Sequence, residues 1–275
     1  MTWKIFGHNH VKEILEKQLS LGRTPHAYLF MGAQGLGKYS LAIEFAGKIL
    51  NSDNALSHPD FMELNVEGEI PVESVRSLIA SINLRPLAGL KKVVVINNVE
   101  KLNKSGANAL LKTLEEPSES TVIILIASER PLPTILSRCQ KFNFNPMSQK
   151  QSEEFLSSFG AVPKEILELS FGLPGRIKLM SENNEFFLKE KEKFVELENL
   201  QKLGVGERLM AVNRFAEMET SELEKMFSSW VMKLFANLKL NRLGAKPLEA
   251  TCEALKALNY NQNKKLILQN LLLNL

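Results

Sequence analysis

The sequence predicts an α/β fold with a parallel β-sheet, followed by a part that consists only of helices. Short apolar runs alternate with helical patterns between residues 27 and 144. Several of these runs are apolar throughout, which is typical of strands buried on both faces of a sheet. Beyond Pro146 the strand signal stops, and helical patterns broken by Gly, Pro and Asn follow. The architecture is therefore expected to change near residue 146.

Five strands and an intervening helix are predicted in the first part. The strands are Ala27–Met31, Phe61–Leu64, Val93–Ile96, Val122–Ala127 and Phe142–Phe144. A helix is predicted at Val72–Ile82, because its apolar residues recur at helical spacing after Pro71, and proline suits the first turn of a helix. This order of strands and helices indicates a doubly wound domain.

Two helices of the second part are predicted from capping boxes, in which a Ser and the side chain three residues later cap a helix start. Ser148 and Gln151 have this spacing at the start of Ser148–Phe159, and Ser221 and Glu224 have it before a later helix. Shorter helices are predicted at Lys164–Ser170 and Pro174–Met180. The charged stretch at 181–193 is the best candidate for a domain boundary in this part.

Composition excludes several classes of protein. Apolar residues make up 44% of the 275 residues and charged residues 24%, which is the balance of a globular protein and not of a disordered or fibrous one. The net charge of +3 is too small to indicate nucleic-acid binding. Cys139 and Cys252 form no disulfide framework and no CxxC pair, which predicts reduced thiols. No signal peptide or membrane span is visible, so a cytoplasmic location is expected.

A glycine-rich segment between the first strand and the next helical pattern fits a phosphate-binding loop. Residues 32–38 read G-A-Q-G-L-G-K, which is the G-x-x-x-x-G-K part of that motif. Glycines let backbone N–H groups surround phosphate oxygens, and the lysine adds a positive charge. A strand-to-helix turn without a ligand is the alternative. The candidate nucleotide-site residues are Gly32, Gly35, Gly37, Lys38, Tyr39 and Ser40.

The groups that hold magnesium in such a site are missing. Tyr39 follows the lysine where Ser or Thr would bind Mg²⁺, and the small hydroxyl is displaced to Ser40. The strand that should end in two acidic residues ends in Asn97 and Asn98, whose amides lack the negative charge that a hard dication needs. Glu100, two residues further on, is expected to be a solvated loop or helix-start residue. A damaged ATP site is therefore predicted.

Four further segments carry a family resemblance. They are His26–Phe30, His58–Phe61, Asn108–Pro117 and Leu136–Cys139, and in this order they resemble the clamp-loader AAA+ family of bacterial DNA polymerase III. The resemblance covers about the first half of the chain. Because of the damaged site, the chain resembles the family's non-motor subunits more than its gamma or tau motor subunits.

The resemblance implies three domains and a role in replication. The domains are an AAA+ P-loop domain at 1–145, a small helical lid at 146–183 and an all-α C-terminal collar at 184–275, which assembles the chain with sister subunits. The implied partners are other loader subunits of the gamma, tau and delta kinds, with the sliding clamp and primed DNA reached through the complex and no membrane. ATP or ADP would bind weakly or not at all. The four-cysteine zinc module of many relatives is absent at 51–57, so no zinc is expected.

The resemblance also assigns roles to three residues. Arg138 of the Ser-Arg-Cys motif would act as an arginine finger toward ATP on a neighbouring subunit, although by itself it reads as a surface arginine. Arg176 resembles the family's second sensor, or else lies at a plain loop-to-helix junction. Ser128 matches the first sensor, or else caps a strand end.

Two other functions compete with that of a stationary subunit. The first is an active gamma- or tau-like ATPase, in which Ser40 or water replaces the missing hydroxyl and Glu100 serves magnesium. The second is a small-molecule phosphotransferase, which shares the loop and the parallel sheet.

Overall fold

The chain forms two compact units. The computed structural model describes residues 3–66, 68–82, 84–240, 244–258, 260 and 263–275. The first unit extends to Gln151 and includes Leu173–Gly175, and the second comprises Ser152–Gly172 and Arg176–Leu275. The division into a P-loop domain, a lid and a collar at residues 145 and 183 stays a prediction.

The first unit contains a five-stranded sheet in which all neighbouring strands run parallel. The strands are β1 Ala27–Met31, β2 Phe61–Leu64, β3 Lys92–Ile96, β4 Thr121–Ala127 and β5 Gln140–Asn143. Their order across the sheet is β2-β3-β4-β1-β5. β3 and β4 are buried at every position, as their continuous apolar sequence predicts. The predicted parallel sheet is confirmed.

The prediction for the last strand was wrong by two residues at its start. The structure has β5 at Gln140–Asn143 and not at 142–144. In β5 only Phe142 is buried, because the strand lies at the edge of the sheet and pairs only with β1. The apolar run therefore misses the start of β5, because Gln140 and Lys141 are polar.

Alternate residues of the strands form two apolar layers on the two faces of the sheet. On one face Leu29 belongs to a buried cluster with residues of the helices at 72–82 and 104–115. On the other face the ring of Tyr28 lies 5.1 Å from that of Phe45, in the helix after the glycine-rich loop. Because side chains alternate along a strand, this arrangement buries the first four residues of β1, and Met31 at its end is half-buried.

Thirteen α-helices lie in the part of the chain that the structure describes. They are α1 Asn9–Ser20, α2 Lys38–Leu50, α3 Val72–Ile82, α4 Lys104–Glu115, α5 Pro133–Leu136, α6 Gln149–Ser157, α7 Glu165–Ser170, α8 Pro174–Glu182, α9 Asn184–Lys202, α10 Val205–Glu217, α11 Thr220–Lys239, α12 Lys246–Leu258 and α13 Lys264–Asn274. None of them is long and apolar enough to span a bilayer. The predicted α3 is confirmed in both its bounds.

The two predicted capping boxes have different outcomes. The backbone N–H of Ser148 donates to the Gln151 side chain at 3.0 Å, and the N–H of Gln151 donates to Ser148 Oγ at 3.3 Å, which confirms the first box. The second was wrong, because α11 already begins at Thr220 and places Ser221 inside the helix. The favoured boundary at 181–193 lies mostly in α9, whose start is capped by Asn183.

Helices α9 to α13 bury a second apolar core. Phe227 and Trp230 on α11 are fully buried in this cluster, together with Leu197 of α9 and Leu268 of α13. The indole Nε1 of Trp230 donates to the Lys193 carbonyl at 2.7 Å, so the one polar atom of this side chain is satisfied inside the core. The second unit therefore has its own hydrophobic core.

Candidate functional site

The glycine-rich loop begins where β1 ends, and its backbone requires glycine. Gly32 has a φ of 147°, and a Cβ on it would lie 2.4 Å from the Phe144 carbonyl oxygen. Gly35 has a φ of 84° and accepts a 2.8 Å hydrogen bond from the backbone N–H of Gly175. A Cβ on Gly175 would lie 3.0 Å from that same oxygen. The loop is therefore tightly curled at its glycines, with Leu173–Gly175 packed directly on it.

Lys38 is buried and points back into the loop. It is 5% exposed, and its Nζ donates to the carbonyl oxygens of Gly32 at 2.5 Å and Ala33 at 2.8 Å. The same nitrogen lies 3.3 Å from Ser128 Oγ, at the end of β4. Burial lowers the pKa of Lys38 to about 8, against the opposing effect of the Glu100 carboxylate. Lys38 and Ser128 are thus brought together, while Ser40 is exposed.

Tyr39 and the first asparagine of the altered acidic pair are engaged with other side chains. The phenol of Tyr39 donates to Glu63 Oε2 at 2.6 Å, and burial together with this bond raises its pKa to about 12. Asn97 Nδ2 donates to Asn65 Oδ1 at 2.9 Å. The side chains that stand at the metal-binding positions therefore hydrogen-bond to residues at the end of β2.

Glu100 lies in the first turn of a short 3-10 helix at Val99–Lys101, which confirms the expectation of a helix-start residue, whereas the alternative of a solvated side chain was wrong. Glu100 Oε1 accepts the backbone N–H of Ser128 at 3.1 Å, and Glu100 Oε2 is buried without a hydrogen-bond partner in the described chain. Its position two residues after the asparagine pair gave no signal of this, because Ser128 is 28 residues away in the sequence. Sequence reasoning considered Glu100 only as a magnesium ligand of the active-ATPase alternative and missed its contact with Ser128.

The residues of this site do not fit a magnesium ion. A hard dication takes several oxygen ligands, preferably carboxylates. Here Tyr39 presents a protonated phenol that is bound to Glu63, and Asn97 is bound to Asn65. Among the described residues, Glu100 is the carboxylate that acts on the loop lysine. Across the described ranges, no group of three or more His, Cys, Asp or Glu side chains could hold a metal ion. The curled backbone and Lys38 suit an anion.

Arg138 follows α5 directly. Its guanidinium donates to Glu115 Oε1 at 2.5 Å, to the Thr134 carbonyl at 2.9 Å and to Ser137 Oγ at 3.0 Å. The Arg138 side chain is 32% exposed and that of Glu115 is 48% exposed. The neighbouring Cys139 is buried, which raises its thiol pKa to about 12. Arg138 is thus a half-exposed cation that its own chain holds in a defined direction.

Arg176 belongs to the second unit and forms a buried ion pair there. Its Nη2 lies 2.7 Å from Glu190 Oε2, and its guanidinium also donates to the Leu169 carbonyl at 3.1 Å. Lys193 and Ser229 bind the same carboxylate, at 2.6 and 2.9 Å. The role of Arg176 as a second sensor stays a prediction, with its guanidinium occupied by these partners.

Known proteins resemble the first part of the chain. A family model described as "DNA polymerase III, delta subunit" matches residues 7–148, which is just over half of the 275 residues. The Escherichia coli DNA polymerase III subunit tau is 35% identical over 166 residues, covering 54% of this chain and 26% of tau. The Pseudomonas aeruginosa subunit delta' is 36% identical over 172 residues, covering 54% of this chain and 52% of delta'. The chain thus spans at most about half the length of these relatives.

Solved structures share the fold over a longer range. A gamma-subunit-related protein of DNA polymerase III from Thermotoga maritima has a TM-score of 0.54 and 20% identity, covering 94% of this chain and 97% of its own. A mutant of RuvB from the same organism has a TM-score of 0.51 and 15% identity, covering 82% of both chains. At these identities the likeness concerns the fold alone, and it confirms the predicted α/β AAA+ class. With a family model that covers more than half of it, the chain belongs to the family described as DNA polymerase III, delta subunit, among the clamp-loader subunits of that polymerase.

Proposed function

We propose that the chain is a delta prime-like subunit of a bacterial clamp loader, which takes part in ATP-driven loading of the sliding clamp onto primed DNA without hydrolysing ATP itself. Its partners would be loader subunits of the gamma or tau and delta kinds, with the clamp and DNA reached through the complex. In this role the chain is a stator, and the catalysed step takes place on a neighbouring subunit.

The observation that carries the proposal is the engagement of Tyr39. The residue after the loop lysine is bound through its hydroxyl to Glu63 at 2.6 Å, so the position that binds Mg²⁺ in an active site offers a protonated phenol. Phosphoryl transfer depends on a metal ion to neutralise developing charge. A chain without that site contributes to ATP hydrolysis only by acting on another subunit's nucleotide. Binding of ATP or ADP to its own loop would be weak or absent, and no zinc is proposed.

Arg138 is the group that we propose to act on the neighbour. A guanidinium is permanently charged, and its planar fork matches phosphate oxygens. The side chain is 32% exposed and is held by acceptors of its own chain, which would limit the number of orientations it adopts. An arginine finger needs this combination of access and fixed direction.

The test is a reconstituted loader that contains the Arg138→Ala chain. Removing a finger lowers phosphoryl transfer at the affected site by on the order of 10³ to 10⁵. We therefore expect clamp loading onto primed DNA to fall by at least about tenfold. Arg23→Ala is the matched control, because Arg23 is also exposed and has no proposed role. Clamp loading that equals the control would refute the role of Arg138.

Lys38→Ala separates this function from that of an active motor. A stator whose own loop performs no hydrolysis should retain clamp loading within about twofold, provided that circular dichroism shows a folded chain. The intact Lys38 favours the active ATPase as a second candidate, and Mg-ATP hydrolysis by the isolated chain at about 1 s⁻¹ or faster would establish it. Membership of the clamp-loader family disfavours the small-molecule phosphotransferase.

A further inference from the structure

We propose that Glu100 is a built-in counter-anion of the glycine-rich loop, which competes with the phosphate groups of a nucleotide for Lys38. The carboxylate would act as an internal substitute for the ligand and keep the affinity of the loop for nucleoside di- and triphosphates low. The inference concerns the chain's own loop and holds whether or not Arg138 acts on a neighbouring subunit.

The first argument is the position of Glu100 relative to the loop. Ser128 stands between the two charges, since its backbone N–H donates to Glu100 Oε1 at 3.1 Å and its Oγ accepts from Lys38 Nζ at 3.3 Å. The three residues follow β3, β4 and β1, which are neighbours in the parallel sheet. Their strands end at the same edge, so the sheet itself holds the anion and the cation close to one serine.

The second argument is the state of the remaining carboxylate oxygen. Glu100 Oε2 is buried and has no hydrogen-bond partner among the described residues. The Ser128 N–H on Oε1 is therefore the one donor that the described chain gives this carboxylate, whose charge acts electrostatically on Lys38, which is itself 5% exposed. Interactions between charges are stronger where water is excluded. A phosphate that enters the loop would have to overcome this repulsion.

A metal-binding role for Glu100 predicts the opposite behaviour. A carboxylate that held Mg²⁺ would increase the affinity for a magnesium nucleotide. The surroundings do not supply the further oxygen ligands that such an ion takes, because Asn97 is bound to Asn65 and the Tyr39 phenol is bound to Glu63. The sign of the effect of Glu100 on nucleotide binding therefore distinguishes a counter-anion from a metal ligand.

The experiment is calorimetric titration of the full chain with ADP at pH 7.0, once with EDTA and once with Mg²⁺. At this pH Lys38, whose pKa is about 8, is mainly protonated. Glu100→Gln removes the charge but keeps an oxygen that accepts the Ser128 N–H. We expect ADP to bind the variant about tenfold more tightly than wild type in both buffers. If wild-type binding is too weak to measure, binding should become measurable in the variant.

Two controls accompany the variant. Glu119→Gln makes the same change of charge at an exposed residue before β4, at the opposite edge of the sheet, and should leave ADP affinity within twofold. Thermal unfolding checks that Glu100→Gln is folded. If it is not, Glu100→Ala, which removes both oxygens, is titrated in the same way, with the same direction of change expected.

Three results would overturn the proposal. They are an unchanged affinity for ADP, an affinity that falls only in the presence of Mg²⁺, and no measurable binding in wild type or in either variant. The last result would mean that something other than the charge of Glu100 limits the loop. None of these results bears on Arg138, because the titration contains no partner subunit, so failure of this inference and failure of the proposed function are separate outcomes.

Discussion

At the scale of single residues, Glu115 determines where the Arg138 guanidinium lies. Its carboxylate is 2.5 Å from Arg138 Nη2 and comes from the last residue of α4, while the other acceptors belong to the α5 segment beside Arg138. If Arg138 acts on a neighbour's nucleotide, Glu115 is a positioning residue. It would fix the direction of the charge before the subunits meet.

Glu115→Gln should therefore weaken catalysis without abolishing it. A half-exposed ion pair contributes up to about 1 kcal/mol, which corresponds to about a threefold to fivefold loss. We expect the kcat of ATP hydrolysis by the reconstituted loader to fall by this factor at an unchanged KM, and Arg138→Ala to be more severe. Glu116→Gln is the matched control, since Glu116 is the exposed neighbour and has no ion pair in the described chain. Equal kcat values for the two glutamine variants would contradict a positioning role.

The sequence reveals some of these residues and conceals others. The glycines, Lys38 and the misplaced Tyr39 lie in one short segment, so their spacing alone identifies the loop and its defect. Glu100 is hydrogen-bonded to Ser128, which is 28 residues away, and Arg138 is oriented by Glu115, which is 23 residues away. Such pairs arise only when the sheet and its helices assemble. Local sequence patterns therefore cannot predict these contacts.

At the scale of elements, the connection between α3 and β3 is fixed by polar anchors. It carries three leucines, Leu84, Leu87 and Leu90, which are 67%, 81% and 91% exposed and so cannot anchor it. The fully buried Asp60 instead accepts the backbone N–H groups of Leu87, Ala88 and Gly89 at 2.5, 2.8 and 3.0 Å. Burial tends to raise the pKa of Asp60, but these three bonds outweigh it and hold the pKa below its ordinary value of 3.8.

Asp60→Asn should destabilise the chain, because an amide presents one acceptor oxygen and turns an N–H₂ group toward backbone donors. We expect the free energy of unfolding at pH 7 to fall by about 2 to 4 kcal/mol. The contribution of a carboxylate with a lowered pKa is fully present above the unfolded value of 3.8 and is lost as pH falls through the folded value. The difference in the free energy of unfolding between wild type and variant should thus be the same at pH 7 and pH 5, and should become smaller below about pH 4.

Urea unfolding measures this difference, with Asp53→Asn as the control at an exposed aspartate. The control should stay within about 0.5 kcal/mol of wild type. A difference that already disappears between pH 7 and pH 5 would mean that the pKa of Asp60 is raised, which would contradict the anchor described above.

Four of the five strands have bounds that follow closely from their apolar runs, including β2, which lies at an edge of the sheet. β1 and β2 have their predicted bounds, and β3 and β4 each gain one polar residue at the start, Lys92 and Thr121. Lys92 belongs to the strand because its Nζ donates to the carbonyls of Ser81 and Leu84 at 2.7 and 3.0 Å. Edge strand β5 and the start of α11 depend on contacts and chain geometry that local composition does not carry.

At the scale of the whole molecule, one buried carboxylate links three helices of the second unit. Glu190 on α9 is 2% exposed and binds Arg176 of α8, Lys193 of its own helix and Ser229 of α11. Burial tends to raise the pKa of Glu190, but the two cations outweigh it, so that the pKa lies below its ordinary value. A buried charge of this kind is stable only while its partners are present.

Arg176→Met therefore distinguishes a structural role from the second-sensor role. If Arg176 serves Glu190, the variant should lose about 2 to 4 kcal/mol of stability in urea unfolding, since a buried carboxylate loses one of its cations. Its ADP affinity should stay within twofold, measured in the Glu100→Gln background where binding is expected to be measurable. A second sensor that contacts phosphate predicts a loss of affinity on the order of tenfold.

Arg214→Met is the control for this variant. Arg214 also pairs with a glutamate of α9, Glu196, but its side chain is 59% exposed, and an exposed pair contributes at most about 1 kcal/mol. A large loss of stability in Arg176→Met and a small loss in Arg214→Met would follow from burial alone. The Glu190 carboxylate is desolvated, so leaving its charge without Arg176 destabilises the fold. If Arg176→Met is as stable as Arg214→Met and binds ADP poorly, the arginine is free enough to reach the nucleotide, and the structural role is wrong.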